Sequence, residues 1–158
     1  MSRIAFFSIP AHGHTNPTVE VVRTLAARGH RVRYYSFEAF RARLEGAGAE
    51  FVPCDSYLPP APRDVERRIG RDFASLIGMV VDVTAAMEER VLGELAAFRP
   101  HCIVADSLCI WGKLYAERLG VPLVCSTTTF AFDQETAKGM RPSPAELLRT
   151  LAGVPRIG

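Results

Sequence analysis

No apolar stretch in this sequence approaches the ~20 residues that a membrane-spanning helix requires. The longest, Ile4-Ala5-Phe6-Phe7-Ser8-Ile9 and Leu76-Ile77-Gly78-Met79-Val80-Val81, fall far short. The first follows a single basic residue, Arg3, and runs into Pro10 without the small-residue cleavage site of a secretory leader, so a cytoplasmic chain with no integral membrane segment is expected. Charge of one sign is also lacking: 19 Lys+Arg against 17 Asp+Glu leave a net charge of +2, too little to make nucleic acid the main partner. Cysteine is sparse. Cys54, Cys102, Cys109 and Cys125 form no Cys-x-x-Cys pair and mostly sit among apolar residues, which reads as reduced thiols in or near the core.

What is present is an ordinary globular composition, 48% hydrophobic and 23% charged over 158 residues, enough for one domain with a substantial core. Short β-rich runs alternate with segments of helical period, the pattern of an α/β domain built on a parallel sheet. Ile4 to Ile9 reads as a first strand, apolar throughout because both faces of a central parallel strand are covered. Asn16 reads as a helix N-cap with Pro17 at the first helical position, and Gly29 as the stop. Strands are expected over Arg31–Ser36, Ala49–Cys54, His101–Ala105 and from Leu123 to Ser126. Helices are expected over Phe37–Glu45, from about Asp64 to Phe98 with breaks at Gly70 and Gly78, around Trp111–Leu119, and from Ser143 to Leu151.

The stretch Pro10-Ala11-His12-Gly13-His14-Thr15-Asn16-Pro17 follows the first strand, where a phosphate-binding loop would carry glycines. Gly13 is alone where a dinucleotide fingerprint needs three, so nicotinamide chemistry is not expected. His12 and His14 are two residues apart rather than the four of a helical zinc pair, and no third ligand stands nearby, so no metal is expected. Position gives the histidines another meaning. In an open parallel sheet of order 3-2-1-4-5, ligands bind beyond the carboxyl ends of the strands where strand order reverses, between the first and fourth. The fourth ends at Asp106, which should therefore meet the histidine loop. A carboxylate on one ring nitrogen fixes the imidazole tautomer and stabilises its cation, which makes the other nitrogen a general base.

The run from Phe7 to Pro17, followed by Val21-Val22-Arg23-Thr24-Leu25-Ala26-Ala27-Arg28-Gly29-His30-Arg31-Val32, resembles the N-terminus of the UDP-glycosyltransferases, in particular bacterial macrolide and antibiotic glycosyltransferases. The likeness continues through Phe98-Arg99-Pro100-His101-Cys102-Ile103-Val104-Ala105-Asp106 and Ala116-Glu117-Arg118-Leu119-Gly120-Val121-Pro122. It implies a Rossmann-like parallel sheet with helices on both faces, the N-terminal domain of a GT-B enzyme. It also implies that His14, in the Gly-His-x-Asn-Pro part of the motif, deprotonates an acceptor hydroxyl while Asp106 holds it. The oxygen would then displace a nucleotide from a sugar with inversion, with no metal and no cofactor beyond the nucleotide-sugar co-substrate. His12 acquires no catalytic role.

Gly13 and Thr15, at the start of the first helix, are candidates for the donor diphosphate. Candidates for an apolar acceptor pocket, suited to a macrolide, polyketide or flavonoid, are Tyr57, Phe73, Met79, Ser107, Trp111, Phe130 and Phe132. Helical spacing alone would also bury Phe73, Met79 and Trp111 as core. Members of the family carry a second domain that makes most nucleotide-sugar contacts. The expected organisation is thus a Rossmann-like acceptor domain over residues 1–132 and a tail with a short helix over 133–158, without the nucleotide-sugar domain, which a separate half or self-association would replace. The alternative is a binding module or subunit without catalysis, serving a hydrophobic small molecule or a partner glycosyltransferase chain. A hydrolase is disfavoured because no Gly-x-Ser-x-Gly elbow supplies a nucleophile.

Overall fold

The computed structural model describes residues 1–9, 11–57 and 73–128, together with Pro144 and Leu148. The chain divides into two compact units, Met1–Pro59 with Val83–Thr128, and Pro60–Asp82 with Thr129–Gly158. The first unit holds the sheet. Its elements are β1 (Arg3–Phe7), α1 (His12–Ala27), β2 (Arg31–Ser36), a 3-10 turn (Glu38–Phe40) leading into α2 (Arg41–Glu45), and β3 (Glu50–Pro53). After a second 3-10 turn at Asp55–Tyr57 come α3 (Phe73–Phe98), β4 (Cys102–Asp106), α4 (Ile110–Leu119) and β5 (Leu123–Ser126). All four pairings are parallel and the order is β3-β2-β1-β4-β5. The reversal of strand order therefore lies between β1 and β4, whose register matches Phe7 with Ala105. Within the second unit the described stretch of α3 is Phe73–Asp82, and of the helix expected over 143–151 only Pro144 and Leu148 are described, both helical.

The pleat of β1 distributes its side chains between two layers. Ile4 and Phe6 join Val19, Val22, Val32, Tyr34, Leu44 and Phe51 in one buried cluster with α1 and α2, where the Phe6 and Tyr34 rings stack at 5.4 Å. Phe7 points the other way, stacked on Tyr35 at 4.7 Å and edge-on to Tyr115 of α4. At the far end of the strands Arg33 lies 4.2 Å from the Phe98 ring centroid and donates to Glu50. That edge, with Arg3, Arg31, Arg33, Phe98 and Arg99, lines a depression of about 550 Å³.

The close approach of α4 depends on one glycine. A Cβ at Gly112 would stand 2.7 Å from the Ala105 Cβ and 3.2 Å from the Phe7 Cβ, two atoms fixed to strands that cannot swing aside. Gly112→Ala would gain about 1 kcal/mol of helix propensity, but the overpacking, typically about 1–3 kcal/mol, prevails. The expected result is a lower urea midpoint with an unchanged denaturant slope. A midpoint at or above wild type would refute the packing argument.

Two local expectations are corrected. The first helix begins at His12, with extended Ala11 as its N-cap and Pro17 inside it. The Ala11 carbonyl already accepts from the amides of His14 and Thr15, at 3.0 and 2.9 Å, and the Asn16 side chain is taken by the Arg43 guanidinium. Pro17 removes the hydrogen bond that an N–H at this position would have made to the preceding turn. The second correction is at Gly78, which interrupts nothing: α3 runs through it, since an isolated glycine weakens a helix without breaking it. Gly70 lies outside the described residues. Elsewhere Gly29 stops α1 with a positive φ of 79°, and β2 and β5 have the expected limits. All four cysteines are free: Cys54 and Cys109 are buried, Cys102 is half-buried and Cys125, on the edge strand, is exposed. Burial pushes the Cys54 thiol up to about 12 and Cys109 up as well. Among the described residues no helix is long and apolar enough to cross a membrane.

Candidate active site

The site is assembled where β1 and β4 end. β1 stops at Phe7, and the chain turns through Ser8 and Ile9 into the first turn of α1, which carries His14. Thr15 is fully buried; its hydroxyl lies 3.2 Å from that of Ser8 and donates to the Ile9 carbonyl. One turn on, Thr18 donates to the Thr15 carbonyl at 2.7 Å and its oxygen accepts from the Tyr34 hydroxyl at 2.8 Å. Burial pushes the Tyr34 phenol up to about 12, so it stays a neutral donor. These bonds tie the first turn of α1 to β1 and β2, and so fix the start of the helix that presents His14.

β4 brings Asp106 to the same edge, where it is 1% exposed. A buried carboxylate needs hydrogen bonds on both oxygens, and Asp106 has them: the Leu108 amide donates to Oδ1 at 2.9 Å, and Oδ2 lies 2.8 Å from Nδ1 of His14. The contact joins residues 92 apart in sequence. Because a carboxylate only accepts, Nδ1 carries the ring hydrogen and Nε2 is left with a lone pair. The His14 side chain retains 15% of its exposure, so the imidazole is largely enclosed but still reaches solvent. A third group completes the contact: the Thr128 hydroxyl, two residues past the end of β5, stands 3.0 Å from Nδ1.

The remaining candidates are placed as follows. His12 is exposed and packs edge-on against the Phe40 ring at 5.0 Å. Gly13 is exposed in the first turn of α1, which no side chain caps. Trp111 is 3% exposed, in the core beside Gly112. Ser107 is half-buried, donating its amide to Ser126 and accepting from the Lys113 ammonium with its carbonyl. The side chains of Tyr57, Phe73 and Met79, and the residues Phe130 and Phe132, lie outside the described part. Sequence reasoning did not single out Thr128. Its signal was the run of threonines at the carboxyl end of the strand beside β4; the register of Asp106 with Ser126 brings the chain after β5 to this edge, where Thr128 meets the histidine.

No protein-family profile matches the chain. Among curated proteins it is 30% identical over 138 residues to the NDP-glycosyltransferase YjiC of Bacillus subtilis (strain 168), covering 86% of this chain and 34% of that protein. It is 34% identical over 145 residues to the demethyllactenocin mycarosyltransferase of Streptomyces fradiae, covering 87% of this chain and 32% of that protein. Among solved structures, the glycotransferase of kitacinnamycin superposes with a TM-score of 0.76 at 27% identity, over 96% of this chain and 37% of the other. The chain spans about a third of the length of the curated relatives it matches. In sequence and in fold alike, this chain is similar to part of the GT-B glycosyltransferases, a group that includes NDP-sugar and macrolide enzymes.

Proposed function

We propose that this chain carries the acceptor side and the general base of an inverting glycosyltransferase, working in the cytoplasm on a hydrophobic natural-product acceptor. The observation that carries the reading is the 2.8 Å bond between His14 Nδ1 and the buried Asp106 carboxylate, which leaves Nε2 as the only basic atom of the ring. An acceptor hydroxyl placed against Nε2 gives up its proton to it. The acceptor oxygen then forms a bond to the anomeric carbon as the bond from that carbon to the nucleotide phosphate breaks, and the diphosphate departs with the electron pair. Asp106 stabilises the imidazolium formed on the way. No metal and no cofactor enter; the nucleotide sugar, a UDP-sugar in this reading, is the co-substrate.

The uncapped start of α1 at Gly13 suits an anion, since free amides and the helix dipole both favour negative charge there. Thr15 supports that turn from inside, its hydroxyl engaged with Ser8 and Ile9. Most nucleotide contacts are assigned to a further domain, supplied by another part of the protein or another chain. The acceptor would lie over the strand ends near Ser107.

The experiment is mass spectrometry of the chain, alone and mixed with a nucleotide-binding half from a relative, with UDP-glucose and a panel of phenolic and macrolide acceptors. A glycoside that disappears with His14→Ala supports the reading. Saturable acceptor binding with no product in either mixture would point instead to a binding module.

A further inference from the structure

Nδ1 of His14 has one hydrogen to give and two oxygens in reach, Asp106 Oδ2 at 2.8 Å and Thr128 Oγ1 at 3.0 Å. Were Nδ1 bare, its lone pair would face a carboxylate oxygen with no proton between them, and a hydroxyl hydrogen from Thr128 could not relieve that repulsion. Nδ1 therefore holds the hydrogen, and Thr128 meets it as an acceptor. We infer that Thr128 is a positioning residue for His14: its hydroxyl oxygen is the second acceptor in a three-centre bond from Nδ1–H, and locks the rotation of the imidazole that Asp106 alone leaves free.

The two acceptors arrive from different strands, Asp106 from the end of β4 and Thr128 from beyond β5. The parallel register sets their separation, with Asp106 opposite Ser126 and the Ser107 amide donating to the Ser126 carbonyl at 2.9 Å. A single N–H···O contact lets a ring rock about the bond, so that Nε2 sweeps an arc. A second acceptor off that axis removes the freedom, as preorganisation of a base requires. Threonine suits the task because its β-branched side chain has few rotamers to lose. Thr128 is half-buried, beside a histidine that keeps 15% of its side-chain exposure. The kinetic consequence rests on the transferase reading above; the contact with Nδ1 does not.

The test pairs two substitutions. Thr128→Val keeps the branched shape and removes the acceptor; Thr128→Ser keeps the acceptor and removes the methyl. In the chain labelled with ¹⁵N at histidine, wild type and Thr128→Ser are expected to show a sharp, exchange-protected Nδ1–H signal from His14. In Thr128→Val that signal broadens or is lost while the amide spectrum of the sheet persists. In the transfer assay Thr128→Val is expected to lower kcat roughly 2- to 12-fold, the range for losing one hydrogen bond, with little change in acceptor KM, and Thr128→Ser to restore it. A Thr128→Val chain whose Nδ1–H signal matches wild type overturns the inference, as does a Thr128→Ser chain no better than Val. A wild-type chain that makes no glycoside in any mixture overturns the transferase reading instead, and leaves the imidazole spectra to decide the role of Thr128.

Discussion

His14→Ala is expected to lower kcat for glycosyl transfer by about 10²- to 10⁴-fold, the usual contribution of a positioned general base, while acceptor binding stays close to wild type. The separation follows from the geometry. The imidazole is engaged by Asp106 and Thr128 through Nδ1, which leaves Nε2 for one hydroxyl of a much larger, apolar acceptor. Some stability is lost too, because removing the imidazole takes the partner from Asp106 Oδ2, while the bonds of Thr15 and Thr18 that hold the start of α1 remain. The check is a steady-state series in acceptor at saturating nucleotide sugar, with acceptor affinity measured separately by calorimetry. Retention of more than a tenth of wild-type kcat, below the lower bound of that contribution, would remove His14 from the role of base.

Asp106→Asn is expected to be nearly as damaging, about 10²-fold or more in kcat, for a different reason. The Leu108 amide donates to Oδ1 of the native carboxylate at 2.9 Å, so an asparagine at this position must turn its carbonyl oxygen toward Leu108. Its NH₂ then faces Nδ1 of His14, which must accept; the ring hydrogen moves to Nε2, and the base is lost although no atom has changed size. The imidazole nitrogen shifts report that change of tautomer directly. Since Asp106 is 1% exposed, Asp106→Ala would confuse the result by leaving the Leu108 amide without an acceptor. An Asp106→Asn chain with wild-type rate, or with Nδ1 still protonated, would separate the carboxylate from catalysis.

Particular residues show how far the sequence carried. The apolar run from Ile4 reads as a strand covered on both sides, and β1 lies at the centre of the sheet, although it stops at Phe7 rather than Ile9. The spacing of Gly29, Gly120-Val121-Pro122 and Arg99-Pro100 ended helices close to where the chain ends them. Asn16 misled because its capping chemistry is local, whereas its partner is a guanidinium from α2, distant in sequence. Gly78 misled because a glycine's cost is too small to break a long helix whose neighbouring turns hold. Met79 and Trp111 illustrate a third limit: helical spacing makes a residue apolar-facing without saying whether it faces core or ligand, and for Trp111 the answer is core.

The sequence by itself determined the class of fold, through its hydrophobic periodicity, and, on the usual strand order 3-2-1-4-5, the edge at which His14 would meet Asp106. It also carried the likeness to glycosyltransferases in the motif around His14. Tertiary structure alone decided the rest: which imidazole nitrogen faces the carboxylate, that Leu108 holds the other carboxylate oxygen, that Thr15 is turned into the protein, and that Thr128 reaches Nδ1. Each of these depends on the register between strands and on the depth at which α1 starts, quantities set to a fraction of a residue's rise by packing across the sheet. The order of amino acids along one strand does not record them.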